Sequence, residues 1–171
     1  MRSAIDMGAD RPWFIRTNPR PNARMRLFCF PYAGGAAAIY RLWPNGLPSD
    51  VEIVALELPG RGGRMKEAGF RNVSKLITAI AEVIAPRIDR EFAFFGHSMG
   101  ALIAFELARE LRRQGRPQPQ CLFVSGRRAP HIPDTDPITY NLPEAEFIQE
   151  LRKLNGTPKE VLDHEELMNL M

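Results

Sequence analysis

Cysteine, histidine and tryptophan are all scarce in this chain: two, three and two residues in 171. Two cysteines exclude a disulfide framework, which needs more of them in a smaller chain. Cys29 and Cys121 each sit in a short apolar run, so both are expected to be buried, reduced thiols. No apolar stretch reaches the length of a membrane span. The first ten residues carry Asp6 and Asp10 and lack the apolar segment of a signal peptide. A soluble, cytoplasmic and monomeric protein is therefore expected, with no membrane partner. No single charge sign dominates: 23 Lys and Arg face 20 Asp and Glu, for a net +3. The arginines are scattered and form no basic run, so no nucleic-acid partner is expected. No metal or cofactor is expected either.

What is present is an ordinary globular composition, with 44% apolar and 25% charged residues, enough to bury one core. Residues 1–24 are polar and Pro-rich and read as a lead-in strap, with Trp13 and Phe14 as anchors. Arg26–Phe30, Val51–Leu58, Phe92–Phe95 and Cys121–Ser125 are short apolar runs bounded by Pro or Gly, which predicts buried strands. Between them, Ala36–Trp43 can begin a helix. Val73–Ile88 places Ile77, Ile80, Ala81, Ile84 and Ile88 on one helical face, with Pro86 as its stop. Ala101–Arg113 predicts a helix capped by Gly115. Strands alternating with helices, each strand a continuous apolar run, predict a mostly parallel sheet covered on both faces. After Gly126 the chain changes character. Arg127–Asn141 is loop-like, Pro143–Leu154 predicts a short helix, and Thr157-Pro158-Lys159-Glu160 is a capping box. Short amphipathic helices in a row suggest a lid.

The chemistry concentrates at Gly96-His97-Ser98-Met99-Gly100. This Gly-x-Ser-x-Gly pattern follows a strand and opens a helix, the context of the nucleophile elbow of α/β-hydrolases. The turn must be sharp, so the glycines supply room. Gly100, Ala104 and Ala108 keep small side chains at four-residue spacing, which lets the helix lie close to the sheet. Ser98 would then stand at a helix N-terminus, where free amides and the dipole favour a developing oxyanion. A Gly-rich turn with an incidental serine is the alternative. Phe30-Pro31-Tyr32-Ala33-Gly34-Gly35 follows the first core strand. With Ser98 as nucleophile, the amides of Ala33 and Met99 are the expected oxyanion donors.

A general base is harder to find. His97 adjoins Ser98 on the elbow and is expected to aim elsewhere. His131 and His164 fall in loop-like and lid-like segments. Asp134 or Asp136 with His164 has the formal order Ser, acid, His, yet none of the three follows a strand.

Several of these segments together resemble the type II, or editing, thioesterases of polyketide and nonribosomal peptide synthesis. The resemblance rests on Leu27-Phe28-Cys29-Phe30-Pro31-Tyr32-Ala33-Gly34-Gly35, Leu58-Pro59-Gly60-Arg61, Phe95-Gly96-His97-Ser98-Met99-Gly100-Ala101 and Ser125-Gly126-Arg127-Arg128-Ala129-Pro130. Leu154-Asn155-Gly156-Thr157-Pro158 resembles the family's lid. The match runs from about Trp13 to the end. It implies an α/β-hydrolase fold over residues 1–171, with 132–171 as the start of the lid and the family's last strands lying beyond Met171. It implies a Ser-Asp-His triad with Ser98 as nucleophile, the acid and histidine also falling beyond the lid. The implied substrates are acyl groups on the phosphopantetheine arms of acyl or peptidyl carrier protein domains.

Leu167-Met168-Asn169-Leu170-Met171 is apolar and helical in character and carries no stop signal. The chain is therefore expected to be the front part of a longer protein. Three functions are open: an editing thioesterase, a non-catalytic half-hydrolase that binds carrier proteins, or a general carboxylesterase. Arg61, Arg64, Arg127 and Arg128 are expected to be solvated surface residues, with contact to an acidic carrier as the alternative.

Overall fold

The computed structural model describes residues 13–133 and 142–153. Asp134, Asp136, His164, the strap before Trp13, the Thr157–Glu160 capping box and the apolar C-terminal segment lie outside the described residues. The chain divides into two compact units, the first ending at Arg127 and the second beginning at Arg128.

The first unit is built on a five-stranded sheet. Its strands are β1 (Phe14–Ile15), β2 (Met25–Phe30), β3 (Val51–Leu56), β4 (Glu91–His97) and β5 (Leu122–Ser125), in the order β1-β3-β2-β4-β5. β2, β3, β4 and β5 run parallel. The strap contributes β1, which pairs antiparallel with β3 and sinks Phe14 into the core. Because side chains alternate across a strand, one apolar run serves two layers. Phe28, Phe30, Val54, Leu56, Phe92 and Phe94 face one layer with α1 (Val73–Ile84) and α2 (Met99–Arg113). Leu27, Cys29, Ile53, Ala55 and Ala93 face the other.

Each helix starts and stops for a visible reason. Asn72 caps α1 by accepting from the Lys75 amide at 3.0 Å. Pro86 ends it, in a single 3-10 turn over Ala85–Arg87. Ile77, Ile80, Ala81 and Ile84 are buried as the pattern predicts, while Ile88 is only partly buried. α2 closes on Gly115, whose φ is +65°, with the Arg116 amide donating to Leu111 O at 2.9 Å. In the second unit, α3 (Glu144–Lys153) occupies the helix predicted after Pro143.

Three expectations need correction. The segment after the Gly-Gly turn forms single 3-10 turns at Ala37–Tyr40 and Trp43–Gly46 rather than a helix. Pro44 and Gly46 interrupt any longer one, and Tyr40 is held by a bond to the Phe30 carbonyl at 2.8 Å. These turns pack with the second apolar layer. β3 stops at Leu56, and Glu57 turns its amide to Trp13 O at 2.8 Å. Cys29 is buried, and burial pushes its thiol pKa far up, but Cys121 is exposed. Cys121 precedes β5, whose Phe123 and Val124 are also exposed among the described residues. Among the described residues no helix is long and apolar enough to cross a membrane.

Candidate active site

β4 ends at His97 and α2 begins at Met99, so the reversal of direction falls on Ser98 alone. Ser98 has φ +52° and is the one non-glycine residue with positive φ among the described residues. Such a conformation costs on the order of 1–3 kcal/mol and persists only where its surroundings impose it. Here they do. The Ser98 amide donates to Ser125 O on β5 at 2.8 Å, and the Ser98 carbonyl accepts from Ala101 at 3.1 Å. The glycines serve close approach. A Cβ on Gly96 would overlap the Gly100 carbonyl, and one on Gly100 would overlap the carbonyl oxygen of Phe30. Backbone therefore touches backbone where α2 leaves the sheet, and any larger residue would push the elbow off β2.

The same contact brings the second element of the site alongside. Phe30 pairs with Gly96 in the parallel register, so the Pro31–Ala36 turn and the elbow leave adjacent strands at the same end of the sheet. The turn is tight: Gly35 donates to Tyr32 O at 3.0 Å, and Gly34 has φ +81°. Ala33 is exposed within it. Met99 is the first residue of α2, where amides lack intrahelical acceptors and the helix dipole is positive.

His97 is engaged elsewhere. Its Nδ1 lies 3.0 Å from Ser125 Oγ, its ring meets Tyr32 edge-on at 5.9 Å, and a Cβ on Gly126 would collide with it. His131 occupies an exposed turn of the second unit. Among the described residues the Ser98 hydroxyl is hydrogen-bonded to no side chain.

Two groups near the turn escaped the sequence reading. Glu57 is 6% exposed and accepts the amides of Ala37 and Gly63, both at 2.7 Å. Arg64, expected at the surface, is buried. It donates to Glu57 O at 3.1 Å, pairs with Glu67 at 2.7 Å and lies 4.2 Å from the centre of the Trp13 ring. The available signal for Glu57 was an acid placed directly after an apolar strand and followed by Gly62-Gly63; Arg64 carried none. Arg61 is half-buried and donates to its neighbour's carbonyl, Gly60 O. Arg127 is exposed as expected, and Arg128 is half-buried with a bond to Pro133 O at 3.1 Å.

The family model for the thioesterase domain matches residues 25–171. The chain belongs to the thioesterase family. It is 46% identical over 159 residues to the gramicidin S biosynthesis protein GrsT of Aneurinibacillus migulanus, covering 93% of this chain and 62% of that protein. It is 47% identical over 154 residues to LgrE of Brevibacillus parabrevis, named a linear gramicidin dehydrogenase, covering 90% of this chain and 59% of that one. Among solved structures it resembles RedJ, a thioesterase of the prodiginine pathway in Streptomyces coelicolor. That match has a TM-score of 0.75 and 40% identity and covers 86% of this chain and 53% of RedJ. The chain thus spans less than two thirds of the length of these relatives. The resemblance to type II thioesterases of nonribosomal peptide and polyketide pathways holds, and so does the α/β-hydrolase type of fold, with a mostly parallel five-stranded sheet.

Proposed function

We propose that this chain carries the nucleophile and oxyanion elements of a serine thioesterase that hydrolyses acyl groups from the phosphopantetheine arms of acyl or peptidyl carrier domains. The observation that carries the reading is Ser98 held at φ +52° between strand and helix. That arrangement exposes a hydroxyl at a helix N-terminus. Hydride transfer, which the name of LgrE would suggest, has no use for it. Ser98 Oγ attacks the thioester carbonyl, and the amides of Ala33 and Met99 hold the oxyanion. The tetrahedral adduct collapses with cleavage of the C–S bond, and the serine proton ends on the departing thiol. Water then attacks the acyl-serine and releases the acid. A base must carry these protons, and the family resemblance assigns that part to an acid and a histidine later in the protein. The partition of the chain at Arg127 supports reading 132–171 as the beginning of a lid. We place the protein in the cytoplasm, acting as a monomer.

Hydrolysis of an acyl-pantetheine thioester, compared with the matching oxygen ester, tests the substrate class. A fluorophosphonate probe followed by peptide mapping tests the nucleophile. The expected result is thioester turnover lost in Ser98→Ala and a single adduct on Ser98. An adduct elsewhere with Ser98 untouched would overturn the assignment, and preference for the oxygen ester would overturn the substrate class. Carrier binding without turnover in the complete protein would favour a non-catalytic binding role.

A further inference from the structure

We infer that Glu57 is the positioning residue of the oxyanion turn: from the end of β3 its buried carboxylate pins the far end of the Pro31–Ala36 turn, and so sets where Ala33 presents its amide. The inference rests on reading Ala33 as an oxyanion donor.

The turn has little of its own to hold it. Its internal bond is Gly35 N–H to Tyr32 O, and Ala33 and Gly34 are exposed. It is fixed from its two ends. At the near end, the Phe30 carbonyl accepts from Tyr40 Oη at 2.8 Å and abuts Gly100 at the start of α2. At the far end, the Ala37 amide donates to Glu57 Oε2 at 2.7 Å. Glu57 is itself immobilised. Its amide donates to Trp13 O, its carbonyl accepts from Arg64, and its Oε1 accepts the Gly63 amide. Gly62 wraps the carboxylate so closely that a Cβ there would overlap Oε1, and its φ of +48° already favours glycine.

The chemistry of the side chain makes it hard to replace. Two backbone N–H groups arrive at one buried head group, and the carboxylate is the side chain whose two oxygens both accept. Among the described residues its head group is bonded to these amides and forms no ion pair. A buried charge without a cation is costly and is tolerated where hydrogen bonds satisfy it. Glutamine keeps the volume but presents a donor to one of the two donors. That frees either the turn or the Arg61–Gly63 loop. Oxyanion stabilisation needs donors preplaced to within a fraction of an ångström, so a loosened turn should cost turnover more than substrate binding.

The test compares Glu57→Gln with Gly62→Ala, which leaves Glu57 in place but displaces Oε1. Glu52→Gln serves as the control, altering a buried carboxylate at the other end of the same strand. Four quantities are read in the complete protein: kcat and KM on an acyl-pantetheine thioester, the rate of Ser98 phosphonylation by a fluorophosphonate, and the temperature of thermal unfolding. In Glu57→Gln and Gly62→Ala, kcat and the phosphonylation rate should fall about 10- to 100-fold, somewhat less than removal of an oxyanion donor outright. KM should stay within about twofold and labelling should still reach one per Ser98. Glu52→Gln should lower the unfolding temperature and leave kcat unchanged. Should Glu57→Gln fail to unfold cooperatively, Gly62→Ala decides. Variants that lose stability while kcat and phosphonylation rate match the wild type would overturn the inference and leave Glu57 a staple of the fold. If Ser98→Ala retained turnover, the proposed function would fall instead. Loss of turnover in Ser98→Ala with both turn variants fully active would sink this inference alone.

Discussion

Two buried glutamates stand five residues apart on and just beyond β3, and they are satisfied in opposite ways. Glu52, at the N-terminal end of the strand, is fully buried and meets cations. Arg26 Nε lies 2.8 Å from one oxygen, while the Arg20 amide and Arg16 approach the other. Burial opposes its ionisation, but the bonds from Arg26 and Arg20 and the nearby charges prevail and hold its carboxyl below the usual 4.5. Arg26 also bonds Asp89 and Arg87 O. Arg20 clasps the carbonyls of Pro44, Leu47, Pro48 and Val51. Glu57, at the C-terminal end, meets backbone amides instead. Charge pairs gather at the end of the sheet where strands enter. At the end where ligands of parallel sheets bind, the polar groups are spent on shaping turns. One end fastens the sheet, and at the other Glu57 and Arg64 hold the turns that follow β2 and β3.

Substitutions at either end of the sheet test this division of labour. The largest effect belongs to Ser98→Ala, which should reduce turnover by at least about a thousandfold with unfolding unchanged, since alanine inherits the same backbone strain. Hydrolysis rates and a melting curve check it together. Next come the 10- to 100-fold losses of kcat expected above for Glu57→Gln and Gly62→Ala. At the opposite end, Arg26→Met strands a buried carboxylate and should cost about 3 kcal/mol, with kcat per folded molecule intact. A fall in kcat there would end the division of labour between the two ends. Tyr40→Phe should cost about 1 kcal/mol by leaving the buried Phe30 carbonyl short of a donor, with a kcat loss smaller than that of Glu57→Gln. Denaturant titration gives the first quantity and steady-state kinetics the second.

The smallest effect is in pH. The folded-state pKa of Glu52 is lowered, so the group stabilises the fold above its unfolded pKa, and that contribution is lost as pH falls through the folded value. Glu52→Gln should therefore show a shallower acid limb of stability, beginning below about pH 4.5. Urea midpoints measured at a series of pH values would show it. Equal acid limbs in the two proteins would mean that Glu52 is not the group being titrated.

The elbow was legible because it is local. Gly96, Ser98 and Gly100 are close in sequence, and the strand before them and the helix after them each announce themselves by their own periodicity. The strands were legible for the same reason, to within a residue or two. Cys121 departs from the expectation because an apolar run does not tell which of its residues other elements cover. Arg64 was misjudged because arginine is ordinarily solvated, and nothing local revealed that Trp13 and the Glu57 carbonyl would enclose it. Glu57 went unnoticed because its partners lie twenty residues back and six ahead.

By itself the sequence determined the alternation of strand and helix, the position of the serine and the family, since each is carried by short-range pattern or by motifs read in order. Only the tertiary structure decided the order of the strands, that the strap joins the sheet as β1, that His97 turns to Ser125, and which buried carboxylate meets cations and which meets amides. These depend on pairing between residues tens of positions apart. Local propensity is silent about such pairings, because the free energy that selects them comes from burying and satisfying groups that meet only once the sheet has formed.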